Sequence, residues 1–322
     1  MIDDAGEHSS SLEVQLADPD GRLALPVKGA ILNLSLGSPG KLVSKGAFII
    51  DGFRLEGPPD IVIFNAMAAP FDSAGSLKPF QSRKSRSFSG MTLGEIVSQI
   101  AGEVGLTPAV DPAMASISIP HIDQTSESSM NLLTRLARIY GALFKPTHGR
   151  LCFVSWGTGI NAQGKDVGGL TIDRTACKNY AMKITQRGNF DKVRTRSHDV
   201  TTGSTFLSET TKGGTSTTVI SPQDDTPSED ESDDATYEHP HDYPDQDTAV
   251  AASKSIRNRV VNGSRSISVT ILGNAKIVAG GMMNLTGFKK VEMNGQWWIS
   301  RVEHEFGKEG FVTTISGISP LT

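Results

Sequence analysis

Between residues 119 and 128 the chain reads IPHIDQTSES. His121, Asp123, Ser126, Glu127 and Ser128 are the side chains of hydrolytic sites, where an imidazole takes the proton of a neighbouring nucleophile. Two further clusters have the residue types for chemistry. YEHPHDYPD (237–245) offers His239, His241 and Asp242, and an H-x-H spacing can ligate zinc from an extended chain. In QWWISRVEHEF, Glu303 and Glu305 flank His304 and would share one face of a strand, the arrangement of a glycosidase acid/base pair.

None of the three carries the rest of its constellation. The serines near 128 lack a G-x-S-x-G elbow, and the chain has no Walker A or G-x-G-x-x-G loop. The histidine pair has no third histidine or cysteine nearby, so His239, His241 and Asp242 stand as weak metal candidates, and a polar loop is the simpler reading. Strand carboxylates mostly face solvent or a subunit partner. The expectation is therefore no catalytic residue, no cofactor and no bound metal. Cys152 and Cys177 have no CxxC spacing and read as small buried side chains rather than a disulfide.

The patterning around these residues says what they are for. Met130, Leu133, Leu136, Ala137 and Tyr140 fall on one helical face and Gly141 supplies a stop, so the polar run before them reads as a helix start with Ser126 as N-cap. An earlier helix is predicted at 92–104. Leu93, Ile96, Val97, Ile100 and Val104 form its stripe, Thr92 and Glu95 a capping box, and Gly105 the stop. A third helix is expected near 247–261.

Strands dominate elsewhere. SLEVQLA, ILNLSLG, GAFIIDGFRLEG and DIVIFNAMAA make a β block in the first 70 residues, and 72–91 reads as a basic, solvated connector in which Arg83, Lys84 and Arg86 have the charge to grip phosphate. SISVTIL, GMMNLTGF and the closing pair QWWISRVEHEF and GFVTTISGI make a second β block. The fold class is α+β, with domains expected at 1–88, 89–160 (helix-containing) and 161–322.

The 322 residues carry a net charge of −4 that is unevenly spread. Residues 213–253 hold eleven acids and no Lys or Arg, and setting those acids aside turns −4 into +7. Such density suggests a solvated or partner-facing insertion, placed at 209–247 within the second block. The diffuse +7 does not argue for nucleic-acid binding. No apolar run approaches the ~18 residues of a membrane span and the first residues lack a signal-peptide core, so the chain is expected to be soluble and made in a cytoplasm.

Four blocks carry a resemblance: SRSFSGMTLGEIVSQIAGEVGLTPAVDPAM, IPHIDQTSESSMNLLTRLARIYGALFKPTHGRL, HPHDYPDQDTAVAASKSIRN and NLTGFKKVEMNGQWWISRVEHEFGKEGFVTTI. Together they resemble the phage late control protein D family, the baseplate hubs of contractile tails, which are related to the VgrG spike proteins of type VI secretion. The most specific signs are the Gln-Thr-x-Glu-Ser start with Leu-x-Arg-Leu-Ala, and Trp298-x-x-x-Val302-x-His304 followed by Gly310-Phe311.

The resemblance implies two tube-protein-like antiparallel β-barrels per subunit joined by the helical region, the first apparently lacking an N-terminal strand. It also implies a homotrimer, an adaptor between a six-fold tail tube and a three-fold spike. Its partners would be further copies of itself, the tail tube protein, the central spike protein and other baseplate proteins. Tape-measure protein or DNA would pass through the channel. Its location would be the virion tail baseplate. The competing readings are a tail-associated cell-wall-degrading enzyme and the hub part of a VgrG-like, effector-carrying spike; the first needs a separate catalytic domain and the second a long repetitive β-helix after residue 318.

Overall fold

The structure is a computed structural model that describes all residues except 6–8, 28, 70–77, 148, 160–168, 186–189, 200–202, 221–234, 309 and 320–322. The first block is built from β1 (Ile2–Asp4), β2 (Ser11–Ala17), β3 (Ile31–Ser38), β4 (Lys41–Glu56) and β5 (Ile61–Ala68). Alternation puts Leu12, Phe48, Ile50 and Ala66 on one face, where Leu32 and Leu34 of β3 pack against them.

The middle region has its own core. A helical turn α1 (Lys78–Gln81) leads into β6 (Arg83–Thr92), α2 (Leu93–Glu103), β7 (Thr107–Val110) and the turn α3 (Pro112–Ala115). Then come β8 (Ser118–Ser128), α4 (Ser129–Tyr140), β9 (Ala142–Thr147) and β10 (Arg150–Ser155). Leu93, Ile96, Val97 and Ile100 of α2 are completely buried against Leu132, Leu133 and Leu136 of α4 and Leu151 and Phe153 of β10. Each such side chain contributes roughly 1.5–3 kcal/mol. The Thr92–Glu95 capping box forms as expected.

The expected connector at 72–91 is different. From Arg83 onward it is β6, paired antiparallel with β8. Phe80 and Phe88 enter the middle core, so the boundary drawn at 88/89 falls inside a strand and this region begins near α1. The boundary at 160/161 lies outside the described residues.

The second block consists of β11 (Gly169–Asp173), β12 (Cys177–Ile184), β17 (Arg265–Leu272), β18 (Met282–Thr286), β19 (Gly295–Gly307) and β20 (Gly310–Ile318). Inserted after β12 is a separate sheet of β13 (Lys192–Asp199), β14 (Ser204–Thr211), β15 (Gly214–Ile220) and β16 (Thr236–Glu238), followed by α5 (Gln246–Gly263), which packs on it. The described parts of the expected insertion at 209–247 are the end of β14, β15, β16 and the start of α5. Thr195, Ser197, Ser208 and Thr210 of this sheet are buried, and Thr195 and Thr210 hydrogen-bond to Ala249 O and Ser253 Oγ of the helix. Polar small residues gave no apolar periodicity to read. The acid-rich 221–234 lies outside the described residues.

The two blocks form one sheet. Its order is β12-β17-β20-β19-β1-β2-β5-β4-β3, with β18 also on β19 and β11 on β18. The seam is β1, which pairs with β19 on one edge (Ile2↔Glu303, Asp3↔Val302, Asp4↔Arg301) and with β2 on the other (Ile2↔Ser11). The expectation was two tube-protein-like antiparallel β-barrels. Among the described residues no ladder closes either block: β11 and β12 follow one another through a 3-10 turn but pair with β18 and β17, and the first block ends at β3. The α+β class stands. No helix among the described residues is long and apolar enough to cross a membrane.

Candidate functional site

The hydrolytic-looking stretch is a strand end. β8 stays paired with β6 as far as Ser128 (Arg83↔Ser128), and the N-cap is Ser128, whose Oγ accepts from Asn131 N (3.1 Å). Ser126 is not the cap. It sits in a bulge with φ 49°, and its N–H donates to Ser85 Oγ (3.1 Å).

The specific residues of this segment form a clasp. Gln124 is fully buried; its Oε1 accepts from Arg86 Nε (2.7 Å) and its Nε2 donates to Glu127 O (2.8 Å). Arg135 of α4 reaches Glu127 Oε2 (2.8 Å) and Asp123 O (2.8 Å). Lys84 and Arg86, far from gripping phosphate, both engage Glu103 of α2, which holds its carboxyl below the ordinary range although burial opposes this.

His121 and Asp123 do come together, and with a partner the sequence did not point to. Ser89 Oγ lies 2.8 Å from His121 Nδ1, and His121 Nε2 lies 3.1 Å from Asp123 Oδ1. The order resembles a catalytic triad, but the cause is register: Ser89↔His121 and Ser87↔Asp123 are cross-strand pairs on the open face of the β6–β8 ribbon. Ser87 Oγ donates to Asp123 Oδ1 (2.7 Å), the main cause of the lowered Asp123 pKa. His121 and Asp123 side chains are each 56% exposed, so their surroundings do not desolvate a nucleophile.

His239, His241 and Asp242 extend the edge of the small sheet. His239 N donates to Arg194 O (2.9 Å), and Tyr243 N donates to Arg196 O (2.8 Å). The two imidazoles are 5.7 Å apart, and His241 N–H donates to His239 Nδ1 (3.3 Å). Among the described residues no three His, Cys, Asp or Glu side chains converge to hold a metal ion. Cys152 and Cys177 are free and half-buried, and burial raises both thiols.

The densest polar cluster lies under the seam. Lys145 of β9 donates to Asp3 Oδ1 (2.7 Å), Asp4 O (2.7 Å) and Ser10 Oγ (2.8 Å). Asp3 also accepts from Ser10 Oγ (2.8 Å) and Ala279 N (2.9 Å). Burial disfavours the Asp3 carboxylate, but Lys145 and these donors outweigh it and hold its pKa below the ordinary range. Lys45 of β4 is buried and donates to Ile277 O (3.0 Å), and burial depresses its pKa.

His304 of β19 completes the group. Its Nε2 lies 3.4 Å from Ile277 O and its Nδ1 3.0 Å from Thr313 Oγ1, so the neutral ring donates from Nε2 and accepts from Thr313. Burial and the nearby Lys45 push its pKa down to about 4. One polar cluster thus ties the first block, the middle region and the second block together. The sequence carried a partial signal for it, since alternation along β19 put His304 on the same face as Val302.

Such a cluster holds the three regions against one another. Away from it lies an exposed apolar surface. In the first block Leu16, Val62 and Leu55 are cross-strand neighbours, as are Val14, Phe64 and Phe53. They make one apolar face, with Leu16, Phe53 and Leu55 38%, 44% and 62% exposed. The Glu303 and Glu305 side chains lie on the exposed face of β19, away from the buried His304, at the rim of a groove beside Met1.

A family model for the phage tail baseplate hub (GPD) matches residues 79–310. The probable baseplate hub protein of Escherichia phage 186 is 30% identical over 336 aligned residues, which cover 97% of this chain and 85% of that protein. The probable baseplate hub protein of Escherichia phage P2 is 38% identical over 194, covering 60% and 49%. Among solved structures, the 43 kDa tail protein of prophage MuSo2 from Shewanella oneidensis superposes with a TM-score of 0.66 at 14% identity, covering 99% of this chain and 93% of that one. A type VI secretion component of E. coli, described as similar to the T4 tail proteins gp27 and gp5, superposes at 0.57 and 12% identity, covering 100% and 72%. At these identities the structures speak for the fold alone.

Proposed function

Because the chain belongs to the phage tail baseplate hub family, we propose that it is a structural hub of a contractile tail, a homotrimeric adaptor between the six-fold tube and the three-fold spike. The observation that carries this reading is the continuous sheet through β1. Each copy sets two β blocks side by side at a fixed offset, locked by the Asp3–Lys145 ion pair and by Lys45 and His304, which both meet Ile277 O. Three copies then offer six blocks to the tube while keeping three-fold symmetry toward the spike. The apolar face of Leu16, Phe53 and Leu55 supplies area to bury between neighbours, and β3 and β12, the outermost strands of the sheet among the described residues, supply edges for pairing. The partners are the tube, spike and neighbouring baseplate proteins, with tape-measure protein or DNA passing through the ring, and the site of action is the virion tail, after synthesis in the host cytoplasm.

The reading includes no catalysis. The Ser89–His121–Asp123 array is an exposed ribbon face, and Glu303 and Glu305 border a groove beside main-chain edges. Light scattering of the purified chain, alone and with its tube and spike proteins, tests the oligomer; a monomer under all three conditions refutes it. A variant carrying Ser89→Ala, Glu303→Gln and Glu305→Gln should clear cell wall no differently from the parent. A loss of about 10²-fold or more would restore the enzyme reading.

A further inference from the structure

The three-stranded sheet of the middle region runs β7-β10-β9, so β9 is an outermost strand among the described residues. Trp156 N donates to Gly141 O (3.0 Å), one step beyond the pair Ala142↔Ser155. That phase gives Leu143 and Lys145 the main-chain hydrogen bonds to β10. The alternate positions Ala142, Phe144 and Pro146 turn their main-chain groups to the other edge, where Phe144 offers both an N–H and a C=O. A cavity of about 360 Å3 lies along that edge. All five residues 142–146 border it although their side chains alternate between two faces, which places it beside the strand.

A second wall is the flank of α4 formed by Met130, Thr134 and Ala137, spaced i, i+4 and i+7. Seven residues of helix make this wall about 10 Å long, so the cavity is a trough. β9 turns back along α4 from Gly141, which puts Ala142 at the Ala137 end and Pro146 toward Met130. At the Ala137 end stand Trp156, whose ring centroid is 4.9 Å from that of Trp298, and Arg259 of α5, whose Nη2 donates to Ala137 O (3.5 Å). Away from them the walls are apolar, and Phe144 is backed edge-on by Phe80 at 5.9 Å. Ala5 and Ser9 of the first block and the stem of Lys145 close the third side. The Lys145 ammonium is held by Asp3, Asp4 O and Ser10. Lys145 and Arg259 are the charged residues at the wall, and among the described residues no Asp or Glu lines it.

We propose that this trough binds a small amphiphilic anion, a free unbranched carboxylate of about eight carbons, whose extended length matches the α4 wall. The chain lies between the α4 flank and the edge of β9. The carboxylate sits at the Arg259 and Trp156 end. A cavity of this size between packed regions, apolar with a few polar groups at one end, has the build of a small-molecule site. The ligand touches the first block, α4, β9 and α5 at once, so its binding braces their junction. The site does not rest on the trimer or on the hub reading.

Titration calorimetry of the full chain with sodium octanoate tests this. Octanoate should bind about tenfold tighter than hexanoate, from two more buried methylenes, and dodecanoate should gain nothing further. Octylamine, with the same chain and a cationic head, should bind at least about tenfold more weakly. Octanoate should also raise the thermal midpoint of the parent. Thr134→Leu fills the trough and gives up only a hydroxyl bonded to Met130 O of its own helix, so it should abolish both effects. Arg259→Gln, checked for an unchanged midpoint without ligand, should weaken octanoate about tenfold and leave octanol unchanged. No saturable octanoate binding at millimolar concentration overturns the proposal. So does an affinity indifferent to chain length or head charge, or one that survives Thr134→Leu. Tighter binding of dioctanoyl phosphatidylglycerol than of octanoate would assign the trough to a membrane lipid and refute the free acid.

Discussion

Replacing Lys145 with methionine is the sharpest test of how the blocks are locked. Methionine keeps most of the stem's volume and removes only the ammonium. Asp3 then keeps Ser10 and the Ala279 N–H as donors but loses its countercharge, and Asp4 O loses its side-chain donor. The two side chains are 17% and 13% exposed, so water replaces little of the lost interaction. Breaking a pair so enclosed costs about 3 kcal/mol, a large share of the stability of a typical domain. Asp3→Asn with Lys145→Met leaves no unpaired charge and should cost about 1 kcal/mol, well below the sum of the two single variants, so a double-mutant cycle read by urea denaturation should be clearly non-additive. The pH dependence follows from the lowered Asp3 pKa. The pair's stability is fully present above the unfolded-state carboxyl value and is lost as pH falls through the folded one, so the gap between parent and Lys145→Met should close in strong acid. A single variant costing under about 0.5 kcal/mol, or strictly additive effects, would refute the locking role.

His304 gives a second acid signature. Its folded pKa of about 4 lies below the unfolded 6.5, so the unfolded chain binds the extra proton first and stability falls as pH drops from 6.5 toward 4. The drop is on the order of 3 kcal/mol, and His304→Gln should flatten the profile of thermal midpoint against pH in that window. Gln124→Leu should lower stability by about 2 kcal/mol in the same denaturation assay, since it leaves Arg86 Nε and Glu127 O without their buried partner. Replacing residues 221–234 with a short Gly/Ser linker removes seven acids and almost no apolar side chain. Calorimetry should find the midpoint nearly unchanged, while particle assembly or infectivity changes.

Local chemistry was legible without coordinates. The α2 stripe, its capping box, the Gly141 stop and the closing hairpin of β19 and β20 all depend on residues a few positions apart, and they stand where periodicity put them. The family was legible too, through the Gln124 and Arg135 segment and the Trp298–His304 strand. The helix start was read two residues early because β8 remains paired with β6, and a cross-strand partner, not the cap residue's own preference, decides where the extended chain ends. The four-stranded sheet was missed because, Val193 apart, its buried face is Ser and Thr, two of which, Thr195 and Thr210, hydrogen-bond α5. Above all, tertiary structure decided the seam. Ile2 meets Glu303, and Asp3 meets Lys145, through contacts between residues far apart in the chain. A strand's alternation tells which face is buried but not which edge it will pair with, and a lysine or histidine in a strand reads as solvated until another element arrives to enclose it.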